Sequence, residues 1–316
     1  MRLLITGGSG FLGRFVLAEA ARRGHACVAL ARSEASAQAV AATGALPLAG
    51  NLDDPDGLAG AFASVNCDAL VNLASLGFGH APAIIAAASG AGLDRAVFVS
   101  TTAVTTALPA PSKAVRIAAE VAVRASALSW TLVRPTMIYG APGDRNLSRL
   151  LMLLARARRG WPLPLPVPVP GGGTRLQQPV HVADLAGAVL NAVERPQAAR
   201  RRYDVAGPEA LTFAELLGAA GATVGCRVRV VPVPLTPAIA VTRGYERVSR
   251  RPRIRAEQWH RLAEDKAFPI DDAVRDLDYA PRSFAAGIRA EAEALGLIRN
   301  GLSGNSEPKS MQRSHA

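Results

Sequence analysis

Three glycines near the start of the chain, Gly7, Gly10 and Gly13, have the spacing of a loop that binds phosphate groups. They follow the first apolar run of the chain and precede a segment with helical periodicity. In such a strand-turn-helix unit the first glycine permits a tight turn, the second lets the backbone approach a diphosphate, and the third lets helix and strand pack closely. The spacing predicts a diphosphate-binding loop, and a glycine-rich turn without a ligand is the alternative.

The predicted helix opens with Phe11 and Leu12, directly after Gly10. The first backbone N–H groups of a helix have no partner within the helix, so they attract anions. We therefore expect Gly7, Gly10, Phe11, Leu12 and Gly13 to hold the diphosphate of a dinucleotide.

Arg32 and Ser33 follow the second apolar run, at the point where a dinucleotide places its adenosine ribose. A site for NAD(H) has an Asp or Glu there, which accepts hydrogen bonds from the ribose hydroxyls. A guanidinium instead suits a 2′-phosphate, because it binds phosphate oxygens with two parallel hydrogen bonds. The pair predicts a preference for NADP(H) over NAD(H), and a solvated surface arginine is the alternative.

The elements that must position these residues alternate between short apolar runs and Ala-rich amphipathic stretches. This rhythm is typical of parallel strands joined by crossover helices, hence of an α/β, Rossmann-type doubly wound parallel sheet. Strands are predicted at Arg2 to Thr6, Ala26 to Ala31, Leu46 to Leu48, Ala69 to Leu73, Ala96 to Ser100 and Trp130 to Arg134. Helices are predicted at Phe11 to Arg23, Pro55 to Phe62, Pro82 to Ala91 and Ser112 to Ala125.

The second half of the chain predicts a smaller C-terminal substrate lobe. In the run 161–170 every second residue is proline, which removes the N–H donors from one edge of an extended chain. The run predicts a strand that pairs on one side only, or a polyproline stretch. Thr212 and Glu215 form a capping-box pattern for a helix. We interpret 1–140 as the nucleotide-binding domain, 141–299 as a lobe whose chain returns to that domain near 178–206, and 300–316 as a disordered tail.

Composition limits the classes of function. The 316 residues are 49% hydrophobic and 19% charged, as in a globular protein, and the formal net charge is +11. The cations are almost all arginine, a bias that does not by itself indicate nucleic-acid binding, whereas an acidic or phosphorylated small ligand suits the charge. Three separated cysteines, Cys27, Cys67 and Cys226, show neither a disulfide framework nor a metal-ligand spacing and suggest buried thiols. We expect a cytoplasmic protein without a membrane span or a metal, and the sequence leaves its oligomeric state open.

Several segments, in their order along the chain, resemble the extended short-chain dehydrogenase/reductase superfamily, in particular its epimerase/dehydratase and atypical NAD(P)H-binding branches. The segments are 6–13, Asn51-Leu52-Asp53, 71–74, 97–101, 134–140 and 178–186. The resemblance implies that Asn51, Leu52 and Asp53 lie by the adenine. It also places Ala74 and Ser75 by the ribose and phosphates, Ser100 at the active-site strand end, and Pro135 to Met137 by the nicotinamide. We interpret His181 and Asp184 as structural residues, and a catalytic role is the alternative.

The chain departs from this family at its catalytic dyad. Active members use a Tyr four residues before a Lys, and the Lys lowers the pKa of the phenol so that it can act as acid or base. No tyrosine precedes Tyr139 in this chain, so the dyad phenol is missing. Taking Lys113 as the dyad Lys puts Pro109 in the Tyr position. Shifting the alignment by about one helical turn instead puts Ser112 in the Tyr position and Arg116 in the Lys position. This second alignment needs no insertion before Trp130.

Other polar residues are candidates to replace the phenol. Ser100 and Thr101 lie where a substrate oxygen would be oriented, and Lys113 or Arg116 could hold the ribose. Tyr139 lies in the nicotinamide-side loop and is a further candidate proton donor. His80 follows the fourth predicted strand and is interpreted as a surface histidine.

An arginine cluster between Arg243 and Arg255 could clamp a substrate diphosphate, or form a solvated face or a docking surface for acidic partners or lipid headgroups.

The sequence thus leaves two functions open. One is an NAD(P)(H)-dependent oxidoreductase or epimerase that acts on a small, possibly nucleotide-linked substrate. The other is a non-catalytic NADPH-binding assembly factor or redox sensor, which the missing dyad Tyr favours. Fold alone does not decide between them.

Overall fold

The computed structural model describes residues 1–108, 112–144, 146–160, 163–249 and 264–298. Its strands in chain order are β1 (Arg2–Thr6), β2 (Ala26–Ala31), β3 (Leu46–Ala49), β4 (Ala69–Asn72), β5 (Arg95–Val99), β6 (Ser129–Pro135), β7 (Ile138–Tyr139), β8 (Leu165–Pro170), β9 (Leu176–Gln177), β10 (Val180–His181), β11 (Arg201–Val205), β12 (Leu211–Thr212) and β13 (Val228–Val233).

Helices connect most of these strands. They are α1 (Phe11–Arg22), α2 (Glu34–Ala41), α3 (Pro55–Ala63), α4 (Ala81–Gly90), α5 (Lys113–Ala125), α6 (Leu147–Gly160), α7 (Val182–Glu194), α8 (Phe213–Thr223), α9 (Leu235–Val248), α10 (Asp271–Leu277) and α11 (Phe284–Ala294). None of the described helices is long and apolar enough to cross a bilayer.

Seven parallel strands form the central sheet, in the order β11-β6-β5-β4-β1-β2-β3. The strand order reverses at β1, since β2 and β3 lie on one side of it and β4, β5 and β6 on the other. Ligands of such sheets bind at the carboxyl ends of the strands beside this reversal. The prediction of an α/β doubly wound parallel sheet is confirmed, and the six strands predicted in the first half are all present.

Apolar layers cover both faces of the sheet, because successive side chains of a strand point in opposite directions. Leu3 and Ile5 of β1 face α1, α2, α7 and α10, whereas Leu4 faces α3, α4 and α5. All three side chains are fully buried, and each such burial contributes about 2 kcal/mol. The cysteines follow this pattern only in part: Cys27 and Cys226 are buried as expected, but Cys67 is partly exposed.

A third apolar cluster organises the C-terminal lobe, where α6, α8 and α11 pack around Tyr139. The proline-alternating run forms β8, which pairs in parallel with β13 alone among the described strands. The Leu165 N–H donates to the Arg227 carbonyl at 2.8 Å, as expected for a strand whose prolines leave donors on one edge only. The chain then returns to the main sheet through β10, α7 and β11.

Helix α2 is the main element of the first half that the sequence did not predict. Only Val40 of this Ala-rich helix is buried, so its apolar periodicity is weak. Its start depends on a local capping box, in which the Ser33 hydroxyl accepts from the Ser36 N–H. The predicted capping box of α8, formed by Thr212 and Glu215, is present. The expected tail 300–316, residues 161 and 162, and Arg250 to Arg255 lie outside the described residues.

Two buried carboxyl groups join the C-terminal helix α11 to the start of α6. Asp144 accepts from the backbone N–H groups that begin α6, including that of Leu147 at 3.1 Å. Glu291 of α11 is fully buried and accepts a hydrogen bond from the Ser148 hydroxyl. Burial, with Asp144 nearby, raises the pKa of the Glu291 carboxyl to about 8. The fold therefore favours a protonated Glu291.

This proton predicts how stability depends on pH. The unfolded chain loses it near pH 4.5 and the folded chain near 8, so the stabilisation is complete below pH 4.5 and is lost as pH rises through 8. We expect the free energy of unfolding to fall by on the order of 5 kcal/mol across this range, and to change much less in Glu291→Gln. Urea denaturation at several pH values tests this. Glu293→Gln, at a partly exposed position of the same helix, is the control and should keep the wild-type slope.

Candidate active site

The glycine loop after β1 is packed so tightly that side chains are excluded at two positions. Gly7 has a φ of +73°, and a Cβ there would lie 2.8 Å from the Ala74 nitrogen. A Cβ on Gly13 would lie 2.3 Å from the carbonyl oxygen of Gly7. These contacts bring the first turn of α1 against the ends of β1 and β4.

Gly10 faces outward from the same loop. Its φ is −75°, its N–H donates to the Gly7 carbonyl at 3.0 Å, and a Cβ there would meet only that oxygen within 4 Å. Gly10 is the N-cap of α1, no side chain caps this helix, and its first turn contains no acidic residue. The positive end of α1 therefore opens into space that a side chain would fill. This arrangement fits the diphosphate of a dinucleotide.

Arg32 lies at the carboxyl end of β2, where the adenosine ribose would lie. Its side chain is exposed and makes no hydrogen bond or ion pair with any residue that the structure describes. Ser33, by contrast, is the N-cap of α2, and its hydroxyl accepts from Ser36. Of the two predicted phosphate ligands, Arg32 is thus the one whose donors are available.

The predicted adenine segment 51–53 contacts the loop after β4. Asp53 Oδ1 lies 2.8 Å from His80 Nε2, and the Asn51 side-chain oxygen accepts from the Asp53 N–H. Leu52 packs against the apolar layer beneath. His80 is therefore not a freely solvated surface histidine: it joins two loops, while the other side of the exposed Asp53 carboxylate remains open to solvent.

Ala74 and Ser75 lie at the carboxyl end of β4, next to the glycine loop. The buried Asn72 accepts from the Thr6 hydroxyl at 2.5 Å and donates to the Ala74 carbonyl at 3.1 Å. This pair fixes the β4 loop against β1. The Ser75 hydroxyl accepts from the Gly77 N–H and caps a short 3-10 helix, Leu76–Phe78.

Ser100 follows β5 and donates its hydroxyl proton to Glu120 of α5 at 2.6 Å. Glu120 is almost fully buried and also forms a double hydrogen bond with Arg134 of β6. Burial opposes ionisation of the Glu120 carboxyl, but the hydrogen bonds from Arg134 and Ser100 outweigh it and lower its pKa. The Ser100 proton is therefore directed to Glu120, and its lone pairs remain as acceptors. Its place beside a substrate oxygen stays a prediction.

Lys113 and Arg116, the two candidate cations of α5, lie in different surroundings. The Lys113 ammonium donates to the Thr106 carbonyl. Arg116 lies against the β4 loop, since a Cβ built on Gly77 would be 3.0 Å from its Nε. Ser112, one turn earlier, contacts the same glycine and caps α5 without a side-chain hydrogen bond.

Two other candidate donors have structural roles. Tyr139 is 1% exposed, its ring packs on His181 and Phe284, and its hydroxyl lies against Gly287 of α11. Burial raises the pKa of this phenol. Thr101 caps a 3-10 helix, accepting from the Ala103 N–H at 3.2 Å. Tyr139 thus lies in the apolar cluster that α6, α8 and α11 form, and this burial argues against its candidate role as proton donor.

The segment 178–186 contains a helix cap and an ion pair. His181 caps α7 by accepting from the Ala183 N–H, and burial lowers its pKa to about 4. Asp184 pairs with Arg282 at 2.8 Å. Pro135 and Met137 are the residues predicted to lie by the nicotinamide. The Pro135 carbonyl accepts from the Thr102 hydroxyl, and Met137 packs on the C-terminal cluster.

The structure thus gathers the glycine loop, the β4 loop, Ser112 and Arg116 at one edge of the sheet. Sequence reasoning gave no role to Glu120 or Arg134, although a lone carboxylate among the small apolar residues of α5 is a usable signal. In the described part of the chain, no cluster of His, Cys, Asp and Glu could hold a metal ion.

The chain is similar to several known proteins. A family model described as NAD(P)H-binding matches residues 7–150. A 4-hydroxy-2-methyl-3-oxo-4-farnesyl-3,4-dihydroquinoline-1-oxide ketoreductase of Stigmatella aurantiaca is 30% identical and covers 89% of this chain and 92% of its own length. An NAD(P)H azoreductase of Xenophilus azovorans is 27% identical, covering 93% and 99%. The solved structure of UDP-glucose 4-epimerase from Thermotoga maritima superposes with a TM-score of 0.68 at 17% identity, covering 94% and 99%, and shows the same fold.

Gly10 provides a test of the diphosphate site. Gly10→Val places a branched side chain over the N-terminus of α1, and we expect NADPH affinity to fall at least about tenfold. Fluorescence titration measures the affinity. The midpoint of thermal unfolding should change little, because only the Gly7 oxygen lies near the new Cβ. Gly60→Ala, in open space on α3, is the control. Undiminished affinity in Gly10→Val would mean that the cofactor binds elsewhere.

Proposed function

Because this chain belongs to the extended short-chain dehydrogenase/reductase family, we propose that it is an NADPH-dependent reductase of a small ketone that carries an apolar group. The observation that carries the proposal is the similarity, over nearly the whole of both chains, to a ketoreductase whose name specifies a substrate with a farnesyl group. The second relative is also a reductase, and its name specifies NAD(P)H. Reduction is therefore favoured over epimerisation.

The preference for NADPH is proposed from charge. Arg32 is exposed at the end of β2 with its guanidinium unpaired within the described residues, and neither it nor Ser33 is acidic. A 2′-phosphate would meet five potential N–H donors and no repelling carboxylate in these two residues. The ribose hydroxyls of NADH would find no acidic acceptor in either of them.

Arg32→Ala is expected to weaken NADPH binding about tenfold or more while changing NADH binding less than about twofold. Titration calorimetry with both coenzymes gives the two affinities. Arg289→Ala, which removes an equal charge from α11, is the control and should change neither. Equal losses for the two coenzymes in Arg32→Ala would refute the proposed phosphate contact.

In the proposed reaction the bound cofactor supplies a hydride to the carbonyl carbon, and the carbonyl oxygen gains one proton. We assign the substrate oxygen to Ser112 and Arg116, which reproduce the four-residue spacing of the family dyad. The Ser112 hydroxyl makes no capping bond and can donate to the oxygen. The Arg116 guanidinium, on the same side of α5, stabilises the negative charge that develops there.

Ser100 has a different part in this scheme. Its proton is held by Glu120, so it offers lone pairs to the cleft and accepts from the product hydroxyl rather than polarising the ketone. Glu120 and Arg134 are positioning residues, because their buried ion pair fixes Ser100 without facing the substrate. The proton reaches the new alkoxide from water, since neither a serine nor an arginine is a good acid near neutral pH.

Ser112→Ala should lower kcat for ketone reduction about tenfold or more while leaving the affinity for NADPH unchanged, because only the carbonyl oxygen loses a donor. Absorbance loss of NADPH with a panel of alkyl ketones measures kcat. Ser126→Ala, at the other end of α5, is the control.

Turnover at the wild-type rate in Ser112→Ala would refute the assignment of Ser112. If the wild-type protein binds NADPH but reduces none of the ketones, the proposed reductase activity is wrong. Tyr139→Phe should retain turnover, because the phenol lies in the core.

A further inference from the structure

A residue from the C-terminal part of the chain holds the β5 loop, residues 101–108. The Glu264 carboxylate accepts two hydrogen bonds from consecutive residues of this loop, one from the Thr106 hydroxyl and one, at 2.7 Å, from the Ala107 N–H. Each carboxylate oxygen accepts one of them, and hydrogen bonds to an ionised acceptor are stronger than those between neutral groups. Glu264 therefore restrains a loop that directly follows Ser100.

The backbone that carries Glu264 is fixed to β9. The Leu176 N–H donates to Asp265 at 2.9 Å, and the Leu176 carbonyl accepts from the Lys266 N–H at 2.9 Å. The Glu264 side chain thus extends from an anchored segment. Its two hydrogen bonds consequently restrain the β5 loop more than they restrain the segment that carries them.

Lys113 holds the same threonine through a second group. Its ammonium donates to the Thr106 carbonyl, while the Thr106 hydroxyl donates to Glu264. Lys113 is the first residue of α5, and Ser112 directly precedes it. The Ser112 side chain makes no capping hydrogen bond that would fix it locally. A displacement of Thr106 is therefore transmitted through Lys113 to the start of α5, where Ser112 lies.

We propose that Glu264 is a positioning residue of the reductase site, which acts through Thr106 and Lys113 to direct the Ser112 hydroxyl at the substrate oxygen. The inference rests on the proposed function, which assigns that oxygen to Ser112. Glu264 contacts neither the ketone nor the cofactor in this scheme. Lys113 likewise serves the loop rather than the ribose of the cofactor, because its ammonium is used by the Thr106 carbonyl.

Steady-state ketone reduction by full-length variants tests the proposal, with NADPH affinity measured by titration calorimetry. Glu264→Ala should lower kcat about tenfold or more and change the affinity for NADPH less than about twofold, because only the donor to the substrate oxygen is misplaced. Glu264→Gln should keep at least about a third of the wild-type kcat, since its amide oxygen still accepts hydrogen bonds. Lys113→Met should resemble Glu264→Ala in both measurements.

A double-mutant cycle separates this network from a general loss of stability. Thr106→Val alone should lower kcat about threefold or more, and it decides the question where Glu264→Ala does not fold. Combined with Glu264→Ala it should lower kcat less than about twofold further, because both changes remove the same hydrogen bond. The matched control is Glu293→Ala, which removes a carboxylate from α11 and should keep the wild-type kcat.

Wild-type kcat in Glu264→Ala would overturn the proposal, as would additive losses of kcat in the double variant. A loss of kcat in Glu264→Gln as large as that in Glu264→Ala would also overturn it, because the amide keeps the acceptor. Weakened NADPH binding in Lys113→Met would place that ammonium at the cofactor and contradict its role in the loop. A wild-type protein that reduces no ketone would instead refute the proposed function itself, whereas an active wild type with unaffected variants refutes this inference alone.

Discussion

The structure depends first on the absence of a Cβ at Gly13. With any side chain there, the first turn of α1 could not lie against the Gly7 carbonyl, from which a Cβ would be only 2.3 Å away. Because of this contact, the N-terminus of α1 points to the carboxyl end of β1, where the strand order of the sheet reverses. Gly10, which has no side chain, leaves this end of the helix accessible. Diphosphate binding in this family is thus a consequence of backbone packing: the N–H groups are present in every helix, and the glycines decide whether a ligand can reach them.

A second constraint is the buried ion pair of Glu120 and Arg134. Burying two charges is costly, and the cost is offset only when the remaining hydrogen-bonding positions are filled. Ser100 fills one of them at Glu120. Consequently Ser100, at the predicted active-site strand end, is oriented by the Glu120 carboxylate and keeps its lone pairs as acceptors. The same pair holds α5 in place over β6, so the helix that carries Ser112 and Arg116 has a fixed position relative to the cofactor loop.

Local patterns predicted much of this molecule. The glycine loop, the strands of the first half, the capping box at Thr212 and the one-sided strand after Leu163 all follow from residues close together in sequence. Contacts between distant segments were not predictable in the same way. The pairing of Asp53 with His80 could not be predicted, because it depends on two loops that meet only in the folded chain. The buried position of Tyr139 could not be predicted either, because it depends on packing against α11, which lies far along the chain. Helix α2 was not predicted for another reason: its start depends on a capping box, and it has no apolar stripe that the sequence would show.

The missing phenol changes what the site can do as pH varies. A Tyr in the usual dyad titrates, so its charge state and its ability to donate depend on pH. A guanidinium keeps its charge throughout the working range, and a serine hydroxyl does not ionise there. With Arg116 beside the β4 loop and Ser112 one turn before it, the site therefore offers a fixed positive charge and a fixed donor rather than an acid. Such a site favours the negative charge on a reduced carbonyl oxygen, but it must remain open to water for the proton, in keeping with the partial exposure of both side chains.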